Sequence, residues 1–183
     1  KSTALNYHDI FTRNGMPGIK ISMPMICGLD VAGEIAEIGA NVSGWKIGER
    51  VLIDPRNRVE GGLVGETIHG GLAEYCRVKE HQLVRIPDGV SFDQASSLPV
   101  AYGTAHRMMM TIGQVTSDDK ILILGASGGV GTGALLLAKM AGAEVVVCAS
   151  SDSKMEKLKS LGADHAMTYM NNEFHKGVYL SLI

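Results

Sequence analysis

The chain has 183 residues, 45% of them hydrophobic, and its 17 basic and 19 acidic side chains give a formal net charge of −2. This length allows one large domain or two small ones, and the charge lacks the basic excess of proteins that bind nucleic acids or acidic membranes. No apolar run approaches the roughly 20 residues that cross a bilayer. The three cysteines are scattered and lie outside any CxxC pattern, so we expect the protein in the reducing cytoplasm.

The first half of the chain is predicted to form short strands separated by turns. Glycines interrupt it at short intervals, which is typical of a small, mostly β unit. Strand-like stretches lie at residues 31–39, 50–54, 70–78 and 82–87. We assign residues 1–103 to this first domain.

A helical region is predicted next. Ser91 is a favourable N-cap and Gln94 stands three residues later, which together make the capping-box pattern. We expect a helix there, a break at Pro99 and a second helix through Met110.

The last part of the chain, residues 104–183, alternates strands with helices. Strands are predicted at residues 120–124, 144–148 and 165–169, and this alternation indicates an α/β domain with a parallel sheet and right-handed crossovers. The helices between them stop at Gly142 and Gly162, and the second buries Met155, Leu158 and Leu161. A complete doubly wound dinucleotide domain has two βαβαβ halves, whereas one is predicted here, so we expect a fragment of a longer protein.

A glycine-dense turn joins the first of these strands to its helix, in the segment ILILGASGGVGTGALLLAKMAG. The spacing Ala126-x-Gly128-x-x-Gly131 matches the dinucleotide-binding fingerprint, with alanine in the first place. The backbone N–H groups of such a turn bind phosphate, although a glycine-rich turn without a ligand is the alternative. A P-loop is excluded because Thr132, not lysine, follows Gly131. The predicted pyrophosphate site comprises Ala126, Gly128, Gly129, Val130 and Gly131.

The end of the second strand indicates which dinucleotide binds. An acidic residue there would bind the adenosine ribose of NAD, but this chain has Ala149. Ser150, Ser151 and Lys154 follow and can bind a 2′-phosphate by hydrogen bonds and charge. This pattern favours NADP(H) over NAD(H), the alternative being that the serines only cap the next helix.

Together these segments resemble the medium-chain dehydrogenase/reductase superfamily. The stretches LNYHD, PMICGLDVAGEIAEIGANVSGWKIGERV, GGLAEY and IPDGVSFDQASSLPVAYGTA precede the glycine turn in that family's order. The resemblance implies a GroES-like, mostly β domain, here without its N-terminal strands, followed by the first half of a Rossmann domain. It further implies an active site in the cleft between the domains and a homodimer for the full-length protein.

The residues that hold catalytic zinc in part of this family are replaced. The resemblance places Asn6, Leu29 and Val100 at the three ligand positions, and none of them is a thiolate or imidazole ligand. The family's cluster of four cysteines for structural zinc is also absent from the sequence. A different metal site, made by His8, His69 and His81 with Glu66, is the less favoured alternative, so we predict no metal site.

The resemblance to zinc-free quinone and enone reductases implies roles for further residues. Asn6 would donate its amide N–H to a substrate oxygen, and Tyr7 would donate or pack beside it. Tyr102 and Thr104 would lie near the nicotinamide, although Tyr102 is equally well explained as a core residue. Lys154 and Tyr169 match the family's contacts to the 2′-phosphate.

These inferences predict an NADPH-dependent oxidoreductase that transfers hydride to a conjugated carbonyl, a quinone, enone or enal, without catalytic zinc. A conjugated substrate needs less polarisation than a simple ketone, for which zinc would act as a Lewis acid. An alcohol dehydrogenase with lost or displaced metal ligands is one alternative, and a non-catalytic dinucleotide-binding fragment is another. The expected partner is a small-molecule carbonyl compound, with no nucleic acid and no membrane.

Overall fold

The computed structural model describes residues 1–15, 17–18 and 20–170 of the chain. It divides into two compact units, Lys1–Val100 and a second that begins at Ala101. The boundary predicted between residues 103 and 104 falls inside the first helix of the second unit, Ala101–His106. Within the described residues, no helix combines the length and the apolar character required to span a membrane.

The first unit contains an antiparallel sheet of four strands in chain order. The strands are β1 (Ser2–Ala4), β2 (Asp30–Glu34), β3 (Arg50–Ile53) and β4 (Leu83–Arg85). Helix α1 (Tyr7–Asn14) follows β1, a 3₁₀ turn (Glu80–Gln82) precedes β4, and helix α2 (Phe92–Ser96) follows it. Strands β2, β3 and β4 confirm three predicted strands in shorter form, whereas β1 and α1 were not predicted.

The strand predicted at residues 70–78 is wrong, because glycine packing replaces ladder pairing there. The N–H groups of Gly70 and Gly71 donate to Ile26 O at 2.7 Å and Gly28 O at 2.9 Å, in an irregular loop. A Cβ on Gly70 would lie 2.4 Å from Gly28 O, and one on Gly71 would lie 2.1 Å from Val31 Cγ2. Gly70 thus lies too close to the backbone of Gly28, and Gly71 too close to the Val31 side chain, for either position to carry a side chain of its own.

The predicted capping box at α2 is confirmed in both directions. Ser91 Oγ accepts from Gln94 N at 3.1 Å, and Gln94 Oε1 accepts from Ser91 N at 2.9 Å. The helix packs Ala95 into a small core with Ala32 of β2 and Ile86. The cap therefore fixes where the chain turns to cover this face of the sheet.

The second unit contains a parallel sheet in the order β5-β6-β7. Its elements are α3 (Ala101–His106), a π-helical segment (Arg107–Ile112), β5 (Lys120–Ile123), α4 (Gly129–Met140), β6 (Glu144–Ala149), α5 (Asp152–Ser160) and β7 (His165–Thr168). The predicted order of strands and helices is confirmed, and the described strands agree with the predicted ones within one residue at each end. Gly142 and Gly162 follow the two helices with φ of +86° and +104°, a conformation that ends helices and favours glycine.

Two details of the second unit differ from expectation. The helix after Pro99 does not end at Met110 but continues as a π-helix to Ile112, where Gly113 N donates to Met108 O at 2.8 Å. Leu161 was expected to face inward but is 42% exposed, because it caps α5 rather than lying within it. Leu158, one turn earlier, is 2% exposed and supplies the buried contact.

Strand β6 forms the centre of the second unit's core. Its residues from Val145 to Ala149 are all fully buried, because β5 and β7 flank it and α4 and α5 cover it. A strand with no exposed face explains why its sequence, EVVVCA, is continuously apolar after the first residue. This buried strand holds the carboxyl-end loops that carry the predicted site.

Candidate functional site

The glycine turn lies at the carboxyl end of the parallel sheet. Ala126 is fully buried, and its N–H donates to Cys148 O of β6 at 3.1 Å. Gly125 turns the chain out of β5 with φ of +63°, a left-handed conformation that favours glycine. These contacts hold the turn directly beside the end of β6, where the residues predicted to select the dinucleotide follow.

The two later glycines of the fingerprint have different steric surroundings. A Cβ on Gly131 would lie 2.6 Å from Ala126 Cα and 2.8 Å from Gly125 O, so only glycine lets α4 approach the turn this closely. A Cβ on Gly128 would meet only Gly125 O, at an ordinary 3.5 Å. The space over Gly128 is therefore free of protein atoms, which fits the approach of a pyrophosphate to the backbone.

The N-terminus of α4 offers several backbone donors to that space. The first bond of the helix runs from Thr132 N to Gly128 O at 2.8 Å. The N–H groups of Gly129, Val130 and Gly131 precede it and, among the described residues, donate to no backbone carbonyl. Free N–H groups and the positive end of the helix dipole favour an anion here, so these residues fit a dinucleotide pyrophosphate.

The hydroxyls after β6 are not used to cap α5. Ser151 occupies the N-cap position but makes no side-chain cap hydrogen bond, and its Oγ lies 3.2 Å from Ser153 Oγ. Ser150 Oγ accepts from Lys154 Nζ at 3.0 Å, which brings one ammonium group to the hydroxyls. The capping alternative therefore does not account for the serines, and the cluster suits a phosphate monoester.

The other predicted cofactor contacts lie on different elements of the second unit. Tyr169 directly follows β7 at the same carboxyl edge of the sheet and is 43% exposed. Tyr102 and Thr104 lie on α3, where Thr104 is exposed and the Tyr102 ring packs on α4, 3.3 Å from a Cβ built on Gly133. This packing explains the half-buried Tyr102 ring, and a contact with nicotinamide stays a prediction for both α3 residues.

A cleft of about 560 Å³ adjoins the turn within the second unit. Its lining is apolar apart from backbone, and it comprises Met108, Met109, Ala134, residues 121–125 and residues 128–131. A smaller cavity of about 310 Å³ in the first unit is lined by residues 56–58, 61 and 62 and includes none of the predicted site residues. Four of the five predicted pyrophosphate residues, all except the buried Ala126, thus border the larger cleft of the two.

In the first unit, Asn6 is held by two buried carboxylates. Its backbone N–H donates to Asp9 Oδ2 at 2.9 Å, and its Nδ2 donates to Asp30 Oδ2 at 2.8 Å. Asp9 also accepts from Gly28 N at 2.9 Å, and Asp30 accepts from Val100 N at 2.9 Å. Asn6 itself is only half-buried, so part of the residue remains accessible while its amide is bonded to Asp30.

Burial dominates the ionisation of Asp30, which is 1% exposed. Loss of solvation raises the pKa of this carboxyl above its usual value, and the nearby Asp9 charge raises it further. Hydrogen bonds from Asn6 and Val100 oppose that shift because they stabilise the carboxylate. The pair of donors is therefore what makes a buried carboxylate tolerable at this position.

The three positions at which the resemblance would place zinc ligands are all next to Asp30, two through hydrogen bonds and one in the chain. Asn6 and Val100 both donate to its carboxylate, and Leu29 precedes it in the chain with 3% exposure. An amide already bonded to a carboxylate and two aliphatic side chains do not make a zinc donor set. The residues at this place therefore do not fit a catalytic zinc ion.

The histidines of the alternative metal site have separate partners. His8 Nε2 lies 2.5 Å from Glu66 Oε2, His69 Nδ1 accepts from Ile26 N, and His81 Nε2 lies 2.9 Å from Asn57 Oδ1. Across residues 1–15, 17–18 and 20–170, no three His, Cys, Asp or Glu side chains gather in a way that suits a metal. The His8–Glu66 pair instead ties α1 to the loop at residues 63–69.

Tyr7 is the most exposed of the predicted site residues in the first unit, at 77%. It lies on the first turn of α1, and its ring centroid is 6.2 Å from that of Phe11 on the next turn. An accessible hydroxyl and an accessible aromatic face are thus both present. The structure leaves open both predicted uses of Tyr7, donation and packing.

The sequence analysis assigned no site role to Asp9 or to Asp30. The Asn6-x-x-Asp9 spacing is a helix-start pattern that could have located α1, since Asp9 does accept from the Asn6 N–H. Asp30 has no such local signal, because its partners Asn6 and Val100 lie 24 and 70 residues away in the chain.

Two family models match most of the chain. Residues 1–88 match the alcohol dehydrogenase GroES-like domain, and residues 129–178 match the zinc-binding dehydrogenase domain. The match to the first covers the four strands of the antiparallel unit but not α2, and the match to the second begins at the first residue of α4. The two models thus follow the order and the character of the two structural units.

Known proteins resemble the whole chain. It is 39% identical over 175 residues to 2-methylene-furan-3-one reductase from Solanum lycopersicum. The aligned region covers 94% of this chain and 44% of that protein. It is 36% identical over 170 residues to the chloroplastic NADPH-dependent alkenal/one oxidoreductase of Arabidopsis thaliana, covering 92% and 43%. A crystal structure of an NAD-dependent alcohol dehydrogenase superimposes with a TM-score of 0.90 at 31% identity, covering 98% of this chain and 57% of that one. The chain therefore spans about half the length of the proteins it matches.

Proposed function

Because the chain belongs to the medium-chain dehydrogenase/reductase superfamily, we propose that it forms part of an NADPH-dependent reductase that works without catalytic zinc. Its proposed substrates are conjugated carbonyl compounds, namely quinones, enones or enals. The observation that carries the proposal is the hydrogen bond from Asn6 Nδ2 to Asp30 Oδ2. It puts a neutral hydrogen-bond donor at a position where zinc-containing members have a metal ligand. The relatives named as an alkenal/one oxidoreductase and a furanone reductase support the same substrate class.

The residues of the second unit account for cofactor binding in this proposal. Gly129, Val130 and Gly131 hold the pyrophosphate through backbone N–H groups. Gly128 leaves the space that the pyrophosphate enters, and Ala126 fixes the turn. Ser150, Ser151 and Lys154 hold the 2′-phosphate, with Tyr169 beside them at the same sheet edge. When bound, the reduced nicotinamide supplies hydride to the substrate. Tyr102 and Thr104 would border that ring.

The residues of the first unit account for handling of the substrate carbonyl. Asn6 donates an N–H to the carbonyl oxygen, where negative charge develops as the conjugated system is reduced. Tyr7 contributes a second donor or an aromatic surface for a planar substrate. The resulting enolate takes its proton from solvent. Conjugation withdraws charge from the reacting carbon, so hydrogen bonds replace the Lewis acid that a simple ketone would need.

A titration with NADPH and, separately, NADH tests the cofactor assignment without requiring turnover. Lys154→Ala should weaken NADPH binding about tenfold, since a charge-assisted hydrogen bond at an exposed site is worth roughly 1–2 kcal/mol, and it should leave NADH binding unchanged. Lys157→Ala removes the same charge from the exposed side of the same helix and is the matched control. Equal loss in both variants, or tighter binding of NADH by the wild-type chain, would contradict the NADPH assignment.

An alcohol dehydrogenase remains the second candidate because a solved alcohol dehydrogenase superimposes on the chain. Metal analysis of purified protein, followed by turnover assays with enones, quinones and simple alcohols, separates the two. Stoichiometric zinc with alcohol oxidation would favour the second candidate. Binding of NADPH with no turnover of any of these substrates would indicate a non-catalytic dinucleotide-binding fragment.

Two further expectations belong to the proposal. The free thiols of Cys27, Cys76 and Cys148 suit a reducing compartment, for which we propose the cytoplasm. The full-length protein is expected to form a homodimer, as the resemblance implies. Sedimentation of the full-length protein at several concentrations checks that assembly.

A further inference from the structure

Asp30 presents each of its two oxygens to a different fixed donor. Oδ2 accepts from Asn6 Nδ2 at 2.8 Å, and Oδ1 accepts from the backbone N–H of Val100 at 2.9 Å. The side chain is 1% exposed, so it cannot touch a substrate. Its influence on chemistry must pass through the groups that it holds.

Only an ionised carboxylate suits two donors at once. An asparagine at position 30 would have one accepting oxygen and one donating NH₂ group, so one of the two partners would face another donor. While Asn6 keeps its present orientation the penalty would be large, because the position is buried and a polar group is left without a partner. The arrangement of Asn6 and Val100 therefore requires an aspartate at this position.

The bond to Asp30 also fixes which end of the Asn6 amide turns inward. A primary amide has a donating nitrogen and an accepting oxygen, and without a partner it can rotate to present either one. Asp30 anchors the nitrogen, and among the described residues that nitrogen has no other acceptor, so its second hydrogen can be donated to a ligand. Loss of the carboxylate would free the amide to present its oxygen, which repels a substrate carbonyl.

We propose that Asp30 is a positioning residue, which orients the amide of Asn6 so that an N–H group meets the carbonyl oxygen of the substrate. This inference rests on the proposed function, in which Asn6 binds that oxygen. It adds a requirement that the proposed function does not contain, namely that a buried carboxylate decides whether Asn6 presents a hydrogen-bond donor or an acceptor to the substrate. Asp9, bound to the Asn6 backbone, fixes where the residue lies but not how its amide turns.

The test combines stability and binding in four variants of the ¹⁵N-labelled chain. The side-chain amide signals of Asn6 are followed by NMR while 2-cyclohexen-1-one is added in the presence of NADP⁺, the oxidised cofactor, so that the enone binds without being reduced. The enone affinity of the variants that lack this amide is read from backbone amide shifts. Thermal unfolding is recorded for each protein. The variants are Asn6→Ala, Asp30→Asn, the exchanged pair Asn6→Asp with Asp30→Asn, and Asp164→Asn. Asp164 also accepts from a backbone N–H and a side chain, but in the second unit, so its variant is the matched control for loss of a paired carboxylate.

The exchanged pair separates positioning from simple structural support. The amide introduced at position 30 can then donate to the carboxylate introduced at position 6 and accept from Val100, so unfolding should return toward the wild-type temperature. The group facing the ligand becomes a carboxylate with no donor, so enone affinity should stay at least about tenfold weaker than in the wild type. Asp30→Asn and Asn6→Ala should show a similar loss of affinity, and Asp164→Asn should show none.

The outcomes distinguish this inference from the proposed function. If Asp30→Asn unfolds earlier but keeps wild-type enone affinity while Asn6→Ala loses it, Asp30 is only structural and the inference is overturned. Recovery of enone affinity in the exchanged pair would overturn it as well. If the wild-type chain shows no enone-dependent shift, or Asn6→Ala binds normally, the role of Asn6 in the proposed function fails and the inference falls with it.

Discussion

Alanine at Gly128 should weaken dinucleotide binding without loss of stability, whereas alanine at Gly131 should impair both folding and binding. Gly128 has φ of −82° and ψ of 166°, which alanine adopts freely, and the added Cβ would meet only Gly125 O at 3.5 Å. We therefore expect Gly128→Ala to change the free energy of unfolding by less than about 1 kcal/mol. The same methyl group would stand in the space that a pyrophosphate must enter, so dinucleotide affinity should fall at least about tenfold.

Gly131→Ala should instead damage the fold. The added Cβ would lie 2.6 Å from Ala126 Cα and 2.8 Å from Gly125 O, and both are backbone atoms that cannot rotate away. Overpacking of this severity costs about 3 kcal/mol, or roughly 12 °C or more in the unfolding temperature of a unit this small. Both variants should therefore lose the dinucleotide, but only Gly131→Ala should lose stability.

Calorimetric titration with NADPH and thermal unfolding of the same samples provide the assay. Gly103→Ala is the control, since its Cβ would meet nothing within 4 Å on an exposed position of α3. It should raise stability by about 0.5–1 kcal/mol and leave binding unchanged. Wild-type NADPH affinity in Gly128→Ala would refute the placement of the pyrophosphate over this residue.

Three further predictions concern the scaffold. Gly71→Ala should destabilise the first unit by about 2–3 kcal/mol in denaturant unfolding, because the added Cβ would lie 2.1 Å from Val31 Cγ2, a stiff β-branched side chain. Ser91→Ala should cost about 1 kcal/mol through loss of the α2 cap. Asp164→Asn should flatten the acid limb of the stability–pH curve. The hydrogen bond from Lys139 holds the pKa of Asp164 below its usual 3.8, so the wild type loses this contribution as the pH falls through that range.

Each scaffold prediction has a result that would contradict it. A Gly71→Ala protein that unfolds at the wild-type denaturant concentration would show that the loop at residues 70–78 yields easily. Ser91→Gly should cost only a few tenths of a kcal/mol, so an equal loss in both Ser91 variants would argue against the cap as the cause. An unchanged acid limb in Asp164→Asn would mean that other carboxyl groups dominate there.

Local sequence signals predicted most of the second unit. Its strands are apolar runs bounded by turns, its helices stop at glycines, and the fingerprint that ends at Gly128 and Gly131 occupies one short stretch of chain. Such features need no knowledge of distant contacts. The same holds for the cap at Ser91, whose partner lies three residues away.

The features that the sequence analysis missed or predicted wrongly depend on packing and hydrogen bonds that have no local sequence signal. The segment at residues 70–78 carries strand-like side chains, but close packing of Gly70 against Gly28 decides its path. The π-helical segment ends with a backbone bond from Gly113 N to Met108 O, and this wider bonding pattern has no sequence signature. Asp30, the first residue of β2, was not predicted as a site residue because a carboxylate at the start of a strand is ordinary in sequence. Its partners become neighbours only in the folded unit.

The pairing of the strands also bears on the order in which the chain folds. In the second unit each parallel pair is joined through a single helix, as with Lys120 and Glu144 across α4. In the first unit Val51 pairs with Arg85 across the long irregular loop that includes Gly70 and Gly71. Closing such a long loop costs more chain entropy before any stabilising contact can form. The dinucleotide-type half is therefore expected to gain native structure first during refolding, with the antiparallel half, and Asn6 and Asp30 within it, assembling in a slower phase.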